Sequence, residues 1–305
     1  MGDFTAALEH DYALLRKRLL MLMPRPGRKG TGIAGLTLFR GERAARLESG
    51  FCPPSLGVTV QGVQEVRMGT ETLTCALGGY FLTCVGMPCS FFVREAGPQQ
   101  PFLSVALELD EKVLTDLMKE TVTECRAVPP AAESGLHSAA MASDLLGAFL
   151  RLIEAGCDRE RARVLGPMII REIHYYLLTG PLGHSLRNFY TPGSLCNQIA
   201  QATGYMRAHC RERLRMDALA RLANMAESTF SRNFRKVTSL SPLQFHKHLK
   251  LYEARRLMLS ECCSAANACS VVGYESSQQF SREYKRLFGS PPMRDVLQES
   301  SMQKR

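Results

Sequence analysis

The heptapeptide Phe230-Ser231-Arg232-Asn233-Phe234-Arg235-Lys236 returns fifty residues later as Phe280-Ser281-Arg282-Glu283-Tyr284-Lys285-Arg286. Residues four apart lie on one face of a helix. Phe230 with Phe234, and Phe280 with Tyr284, are therefore expected to anchor two helices in their cores. Ser228, Ser231 and Arg232 then share another face at i, i+3 and i+4, as do Gln278, Ser281 and Arg282. Short hydrogen-bonding side chains beside one arginine suit the base edges of a major groove, and Arg232 and Arg282 are expected on guanines. Arg235, Lys236, Lys285 and Arg286 lie further along and are expected on phosphates.

Positioning such helices takes a preceding helix and a tight turn. Leu219, Ala220 and Ala223 precede the first copy, and Ala265, Ala266 and Cys269 the second. Gly273 supplies the second turn. Asn224, forty-nine residues earlier, supplies the first, because Asn tolerates the left-handed region better than other non-glycine residues. A Ser-Pro pair follows each copy, Ser241-Pro242 and Ser290-Pro291. Either helix alone could be an ordinary amphipathic surface helix; two copies in register could not. Charge supports the same segment. Residues 1–194 hold 20 Lys and Arg against 20 Asp and Glu, whereas residues 195–305 hold 18 against 9, so the whole excess of +9 sits there. Such asymmetry points to a polyanionic partner for this part of the chain.

The stretch Val272-Gly273-Tyr274-Glu275-Ser276-Ser277-Gln278-Gln279-Phe280-Ser281-Arg282-Glu283-Tyr284-Lys285-Arg286-Leu287-Phe288-Gly289-Ser290-Pro291 resembles the second-unit signature of the AraC/XylS family of bacterial transcription regulators. Ser241 to Phe245, with Leu251, Ala254, Arg255, Arg256 and Leu257, looks like the linker helix of that family. The resemblance implies seven helices forming two helix-turn-helix units. Matched by position, it implies base readout by Ser228, Ser231 and Arg232 in the first unit and by Ser277, Gln278, Ser281 and Arg282 in the second. In the N-terminal half, Gly32 to Arg40, Pro54 to Gly62, Phe102 to Asp110 and Arg171 to Gly183 resemble the family's cupin-like effector domain.

The residues themselves divide the chain in a compatible way. Glycine-punctuated, β-rich segments at Gly35–Phe39, Leu56–Val60, Gln64–Met68, Leu73–Leu77, Tyr80–Val85, Ser90–Arg94 and Phe102–Leu109 predict a sandwich or barrel. Helical spacing follows over Asp110–Cys125, His137–Ala155 and Asp158–Leu178, with Asp110 and Asp158 as caps and Gly156 as a stop. The expected fold is α+β: residues 1–183 form a cupin-like β-barrel with a helical dimerisation segment, 184–193 a linker, and 194–305 an all-α domain of two helix-turn-helix units joined by a linker helix.

A barrel could also house an enzyme. Metal cupins gather imidazoles with a carboxylate, yet residues 11–136 contain no histidine. His246 and His248 fall on the linker helix, where a surface or phosphate-proximal pair is expected. No metal, cofactor or catalytic residue is therefore expected. Phe39, Val60, Tyr80 and Phe91, with Phe81 and Phe92, are candidates to line an effector pocket, or simply fill a small barrel. Cys75, Cys84 and Cys89, on or beside adjacent strands, are candidate sensor thiols, although a reactive thiol needs a lowered pKa. Most of the eleven cysteines read as small buried hydrophobes in a reducing cytoplasm. The apolar faces of the two helices after the strands (Leu145, Leu146, Phe149, Leu152; Leu165, Met168, Ile169, Ile173, Tyr176) are expected to cover the barrel and pair two subunits. The expected partners are double-stranded DNA, RNA polymerase, an unidentified small-molecule effector and a second copy of the chain, with no membrane. Polar groove-facing side chains without aromatic stacking platforms disfavour an RNA-binding or architectural protein.

Overall fold

The computed structural model describes residues 2–121, 133–261 and 263–303. Helix α1 (Gly2–Leu22) opens the chain and buries a stripe of Tyr12, Leu15 and Leu19. Nine strands follow: β1 (Gly27–Gly30), β2 (Leu36–Gly41), β3 (Ala45–Cys52), β4 (Ser55–Gln61), β5 (Val63–Met68), β6 (Glu71–Cys75), β7 (Gly79–Thr83), β8 (Met87–Glu95) and β9 (Phe102–Glu108). Then come α2 (Glu111–Glu120), β10 (Leu136–Ala140), α3 (Ser143–Ala155), α4 (Arg159–Thr179) and α5 (Gly183–Tyr190). Among the described residues seven helices complete the chain: α6 (Leu195–Ala208), α7 (Met216–Leu222), α8 (Glu227–Thr238), α9 (Pro242–Ser260), α10 (Ala265–Val271), α11 (Ser277–Phe288) and α12 (Pro292–Gln303).

The α+β division holds, but the strands form two open sheets rather than a closed barrel. One has the order β1-β2-β9-β4-β7-β10 and the other β3-β8-β5-β6. The chain changes sheet where its backbone cannot continue a ladder. Pro53 and Pro54, which lack amide hydrogens, separate β3 from β4. Gly62, at φ +81°, turns β4 into β5, and a Cβ there would lie 2.5 Å from the Glu95 carbonyl.

The larger sheet has two unlike faces because side chains alternate along each strand. Register places Leu56 opposite Leu82 and Leu107, and Val58 opposite Tyr80 and Val105. With Leu36, Leu38 and Val60 these form an apolar face, and α1 packs on β4 and α3. The opposite face carries Thr37, Phe39, Ser55, Gly57, Thr59, Phe81, Thr83, Ser104 and Ala106 and looks toward the smaller sheet.

All seven expected strands are present, and β1, β3 and β10 are additional. β1 reads Gly-Arg-Lys-Gly, is exposed throughout, and has no alternation to announce it. β10 occupies the start of the helix expected from His137, because Leu136–Ala140 pair with Thr83–Gly79 at the sheet edge. Tertiary pairing there overrides the helical preference of Ala139 and Ala140. Asp110 caps α2 by accepting from the Val113 amide at 3.0 Å, and Asp158 caps α4 by accepting from Arg161 at 2.8 Å. Positions 122–125 of the helix expected to reach Cys125 lie outside the described residues. Within 184–193, α5 is a regular helix whose Ser185, Leu186, Arg187, Asn188, Phe189 and Tyr190 are buried. Its helical packing carries the apolar core without interruption into α6.

Candidate nucleic-acid interface and effector cleft

The two repeats fold alike. Phe230 and Phe234 in α8 are fully buried with ring centroids 5.4 Å apart; Phe280 and Tyr284 in α11 match them at 5.6 Å. The turns match too. Asn224 has φ +50° and Gly273 φ +71°. In both units the next amide reaches back to the preceding helix, Met225 to the Ala220 carbonyl at 2.9 Å and Tyr274 to Cys269 at 3.0 Å. This left-handed helix stop aims each following helix outward.

The sequence-derived reading faces lie off the core. Ser228, Arg232, Arg235 and Lys236 on α8 are exposed and Ser231 is half-buried; Ser277, Gln278, Ser281, Arg282, Lys285 and Arg286 on α11 are all exposed. Ser276 caps α11 by accepting from the Gln279 amide at 3.3 Å, whereas Ala226 leaves α8 without a side-chain cap. Gln279 is turned away from the reading face: its amide donates to Glu283, which also accepts from Lys247 at 2.8 Å and Tyr274 at 2.7 Å. That network holds α11 against α9 and the turn that follows α10. Helix α9 begins with a capping box, Ser241 with Gln244, and Pro242 in its first turn. His246 is not at the surface as expected: it is buried, and burial lowers its pKa to about 4. His248 is half-buried, its pKa lowered by burial and by Arg286. The helix turns both imidazoles inward because Phe245 and Leu249 bury the same side.

Between the sheets lies a cleft of about 330 Å³. Phe39, Phe81 and Phe91 line it, whereas Val60 and Tyr80 point from the opposite, helix-facing side. One residue of register decides this, since Tyr80 pairs with Val58 and Phe81 with Gly57. A Cβ at position 57 would sit 2.0 Å from the Phe81 ring, so glycine lets that ring lie across β4. Phe92 faces outward under Arg46 and Arg67. Polar groups complete the cleft: Thr37, Ser55, Thr83, Ser104, Gln64 and Glu108. Two guanidiniums flank it on aromatic rings, Arg28 at 5.7 Å from the Phe39 centroid and Arg207 of α6 at 4.1 Å from Phe51. Sequence reading missed both arginines. The signal available was the run of small polar residues on alternate positions of β4 and β9.

Cys75, Cys84 and Cys89 are buried, at 6%, 2% and 1% exposure. Burial raises the Cys75 thiol to about 12 and pushes Cys84 far above its usual range. Neither offers an accessible thiolate. No three His, Cys, Asp or Glu side chains converge as a metal-ligand set among the described residues. No described helix is long and apolar enough to cross a membrane.

Open sheets with a polar cleft, followed by two equivalent helices on left-handed turns, define a two-part regulator with a ligand-sized cavity and a double helix-turn-helix. Residues 32–185 match the family described as AraC-type transcriptional regulator N-terminus, and residues 219–295 match a helix-turn-helix domain. The chain belongs to the AraC-type transcriptional regulators. It is 34% identical over 150 residues to the MmsAB operon regulatory protein of Pseudomonas aeruginosa, covering 48% of this chain and 46% of that one. With the HTH-type transcriptional regulator GbdR of the same species it shares 30% identity over 112 residues, 37% of this chain and 29% of the other. The matches thus span less than half the length of these curated relatives. A crystal structure of ToxT from Vibrio cholerae with an unsaturated fatty acid bound superposes with a TM-score of 0.59 at 8% identity, over 86% of this chain and 94% of that one. Another ToxT structure gives 0.54 at 7% identity, over 86% and 96%. At such identity the likeness is one of fold.

Proposed function

We propose that this chain is a cytoplasmic, sequence-specific transcription regulator that acts by binding rather than catalysis. In this reading residues 194–305 grip DNA, and residues 1–183 sense a small effector and pair two subunits. The observation that carries it is the duplicated reading helix: α8 and α11 follow equivalent left-handed turns and expose equivalent Ser/Gln/Arg faces. Ser228, Ser231 and Arg232, and Ser277, Gln278, Ser281 and Arg282, contact base edges; Arg235, Lys236, Lys285 and Arg286 contact phosphates. Successive major-groove segments lie about 34 Å apart.

The effector is a compact organic acid. Arg28 and Arg207 attract its carboxylate, Phe39, Phe81 and Phe91 hold its apolar body, and Thr37, Ser104 and Gln64 orient it. The fatty acid in the structurally similar ToxT supports this class of ligand. Arg207 belongs to α6, so a bound acid bridges the sheets and the helical domain. RNA polymerase is the downstream partner. The second copy docks on α4, where Leu165, Met168 and Tyr175 are exposed on one side.

Footprinting of the full chain on duplexes selected from random sequence tests the central claim. Protection of two adjacent major-groove segments, weakening steeply with salt through counterion release, is expected. Uniform protection of unselected DNA at the same affinity would sink it.

A further inference from the structure

Both reading helices end on the N-terminal domain. The last carbonyls of a helix have no intrahelical partner, and α8 and α11 each satisfy one across the interface. In α8, the Val237 carbonyl accepts from the Gly135 amide at 2.9 Å. The cap residue Ser239 donates its hydroxyl to the Met68 carbonyl at 2.7 Å and accepts from the Thr70 amide at 3.0 Å. The approach is close enough that a Cβ on Gly69 would lie 2.2 Å from the Ser239 hydroxyl. In α11, the Phe288 carbonyl accepts from Arg46 Nη1 at 2.9 Å, placing a cation at the negative end of the helix dipole. Arg46 stacks 5.3 Å from the Phe92 centroid, which fixes its reach.

Arg46 lies on β3, and Met68 to Thr70 form the turn after β5. These are parts of one element, the four-stranded sheet. The cores show why that matters. The first unit, through Phe230, Phe234 and Leu249, shares one apolar cluster with the N-terminal domain. The second unit has its own, beginning at Leu251 of the same helix α9. The second unit therefore meets the sheet through discrete contacts: Arg46 to Phe288, and the Tyr252 hydroxyl to the Cys89 carbonyl at 3.3 Å.

We propose that Arg46 is a positioning residue that sets the spacing and rotation between the two DNA segments the chain reads. It holds α11 to the same sheet that holds α8, so the reading helices keep a fixed phase that α9 alone does not impose. The inference rests on the assignment of α8 and α11 as base-reading helices. The same sheet supplies Gln64 and Phe91 to the effector cleft, so a bound acid reaches the spacing through these contacts.

The test uses the full-length protein and its selected duplex, with one or two base pairs inserted or removed between the two segments. Wild type is expected to lose about tenfold or more in affinity per displaced base pair, comparable to a mismatch. Arg46→Ala is expected to bind the original spacing within about threefold and to lose less than about threefold on the altered ones. Phe92→Ala removes the ring that fixes the reach of Arg46 and leaves the guanidinium in place; it is expected to flatten the profile in the same direction, and it decides the matter should R46A not fold. Variants whose spacing profile coincides with that of wild type overturn the proposal alone. A wild type with no preference for selected over random DNA removes the base-reading assignment and the proposal together.

Discussion

Arg255 Nε lies 2.7 Å from Asp295 Oδ2, and the pair is buried between α9 and α12. The Tyr284 hydroxyl of α11 donates to the same oxygen at 2.8 Å. Three helices of the second unit thus converge on one carboxylate. Removing it as Asp295→Ala takes away the buried carboxylate on which Arg255 and Tyr284 converge and is expected to cost about 3 kcal/mol. Urea denaturation of the full chain measures this, and a midpoint equal to wild type at unchanged slope refutes it. Footprints should lose the second segment first.

Arg232→Ala and Arg282→Ala are each expected to cost about 1–3 kcal/mol on the selected site and to relax preference at one base pair. Lys236→Ala and Lys285→Ala should weaken selected and random DNA alike and lower the salt slope by about 1 each. Fluorescence anisotropy across a salt series separates the two behaviours. Equal losses from all four variants on both DNAs would contradict the assignment of bases to arginines.

The two turns should respond oppositely to glycine and alanine. Asn224 holds a left-handed φ of +50° and Gly273 one of +71°. Asn224→Gly is expected to be neutral or stabilising by less than about 1 kcal/mol, whereas Gly273→Ala should destabilise by about 1–2 kcal/mol. A Cβ at 273 would also come within 3.3 Å of the Arg211 carbonyl. Thermal melts of the two variants compare them directly; a Gly273→Ala protein as stable as wild type would show that the turn is not held in this conformation.

Stability should fall on mild acidification. His174 is fully buried: its Nε2 accepts from the Asp110 amide at 2.9 Å, so its proton sits on Nδ1, 2.7 Å from the Ile170 carbonyl. Burial lowers its pKa, and lowers that of His246 to about 4. Both are neutral when folded but titrate near 6.5 when unfolded. Their contribution is therefore intact above about pH 6.5 and is lost as pH falls toward the folded values. His246 alone should remove about 2 kcal/mol between pH 7 and pH 5. Urea midpoints at those two pH values check this, and His246→Asn should flatten the difference. An unchanged midpoint in wild type would contradict it.

The exposed side of α4 offers the clearest check on assembly. Met168 is 66% exposed and Leu165 43%. Met168→Glu is expected to convert a dimer to a monomer in light scattering while each subunit keeps its fold. Scattering that reports a wild-type monomer would dismiss this face as a subunit interface.

Much of the proposed reading surface is legible in the sequence, because its signals are local. Phe230 and Phe234 sit four apart, Asn224 and Gly273 stand at turns, and helix geometry alone puts Ser228, Ser231 and Arg232 on the outer face. Seven strands were legible for the same reason, since alternation reports a buried face whatever the strand pairs with. β1 escaped because its four residues are all exposed and carry no alternation.

What the sequence could not determine is which face of each strand meets which layer. A one-residue shift in pairing exchanges the two sides of a sheet, so Tyr80 and Phe81 are equivalent until the register with Val58 and Gly57 is known. The cleft, its two arginines and the division of the strands into two open sheets rather than a barrel all depend on long-range pairing. So does the bond from Arg46 to Phe288, which joins residues 242 positions apart. Periodicity fixes what a segment buries; only the tertiary structure fixes what it is buried against.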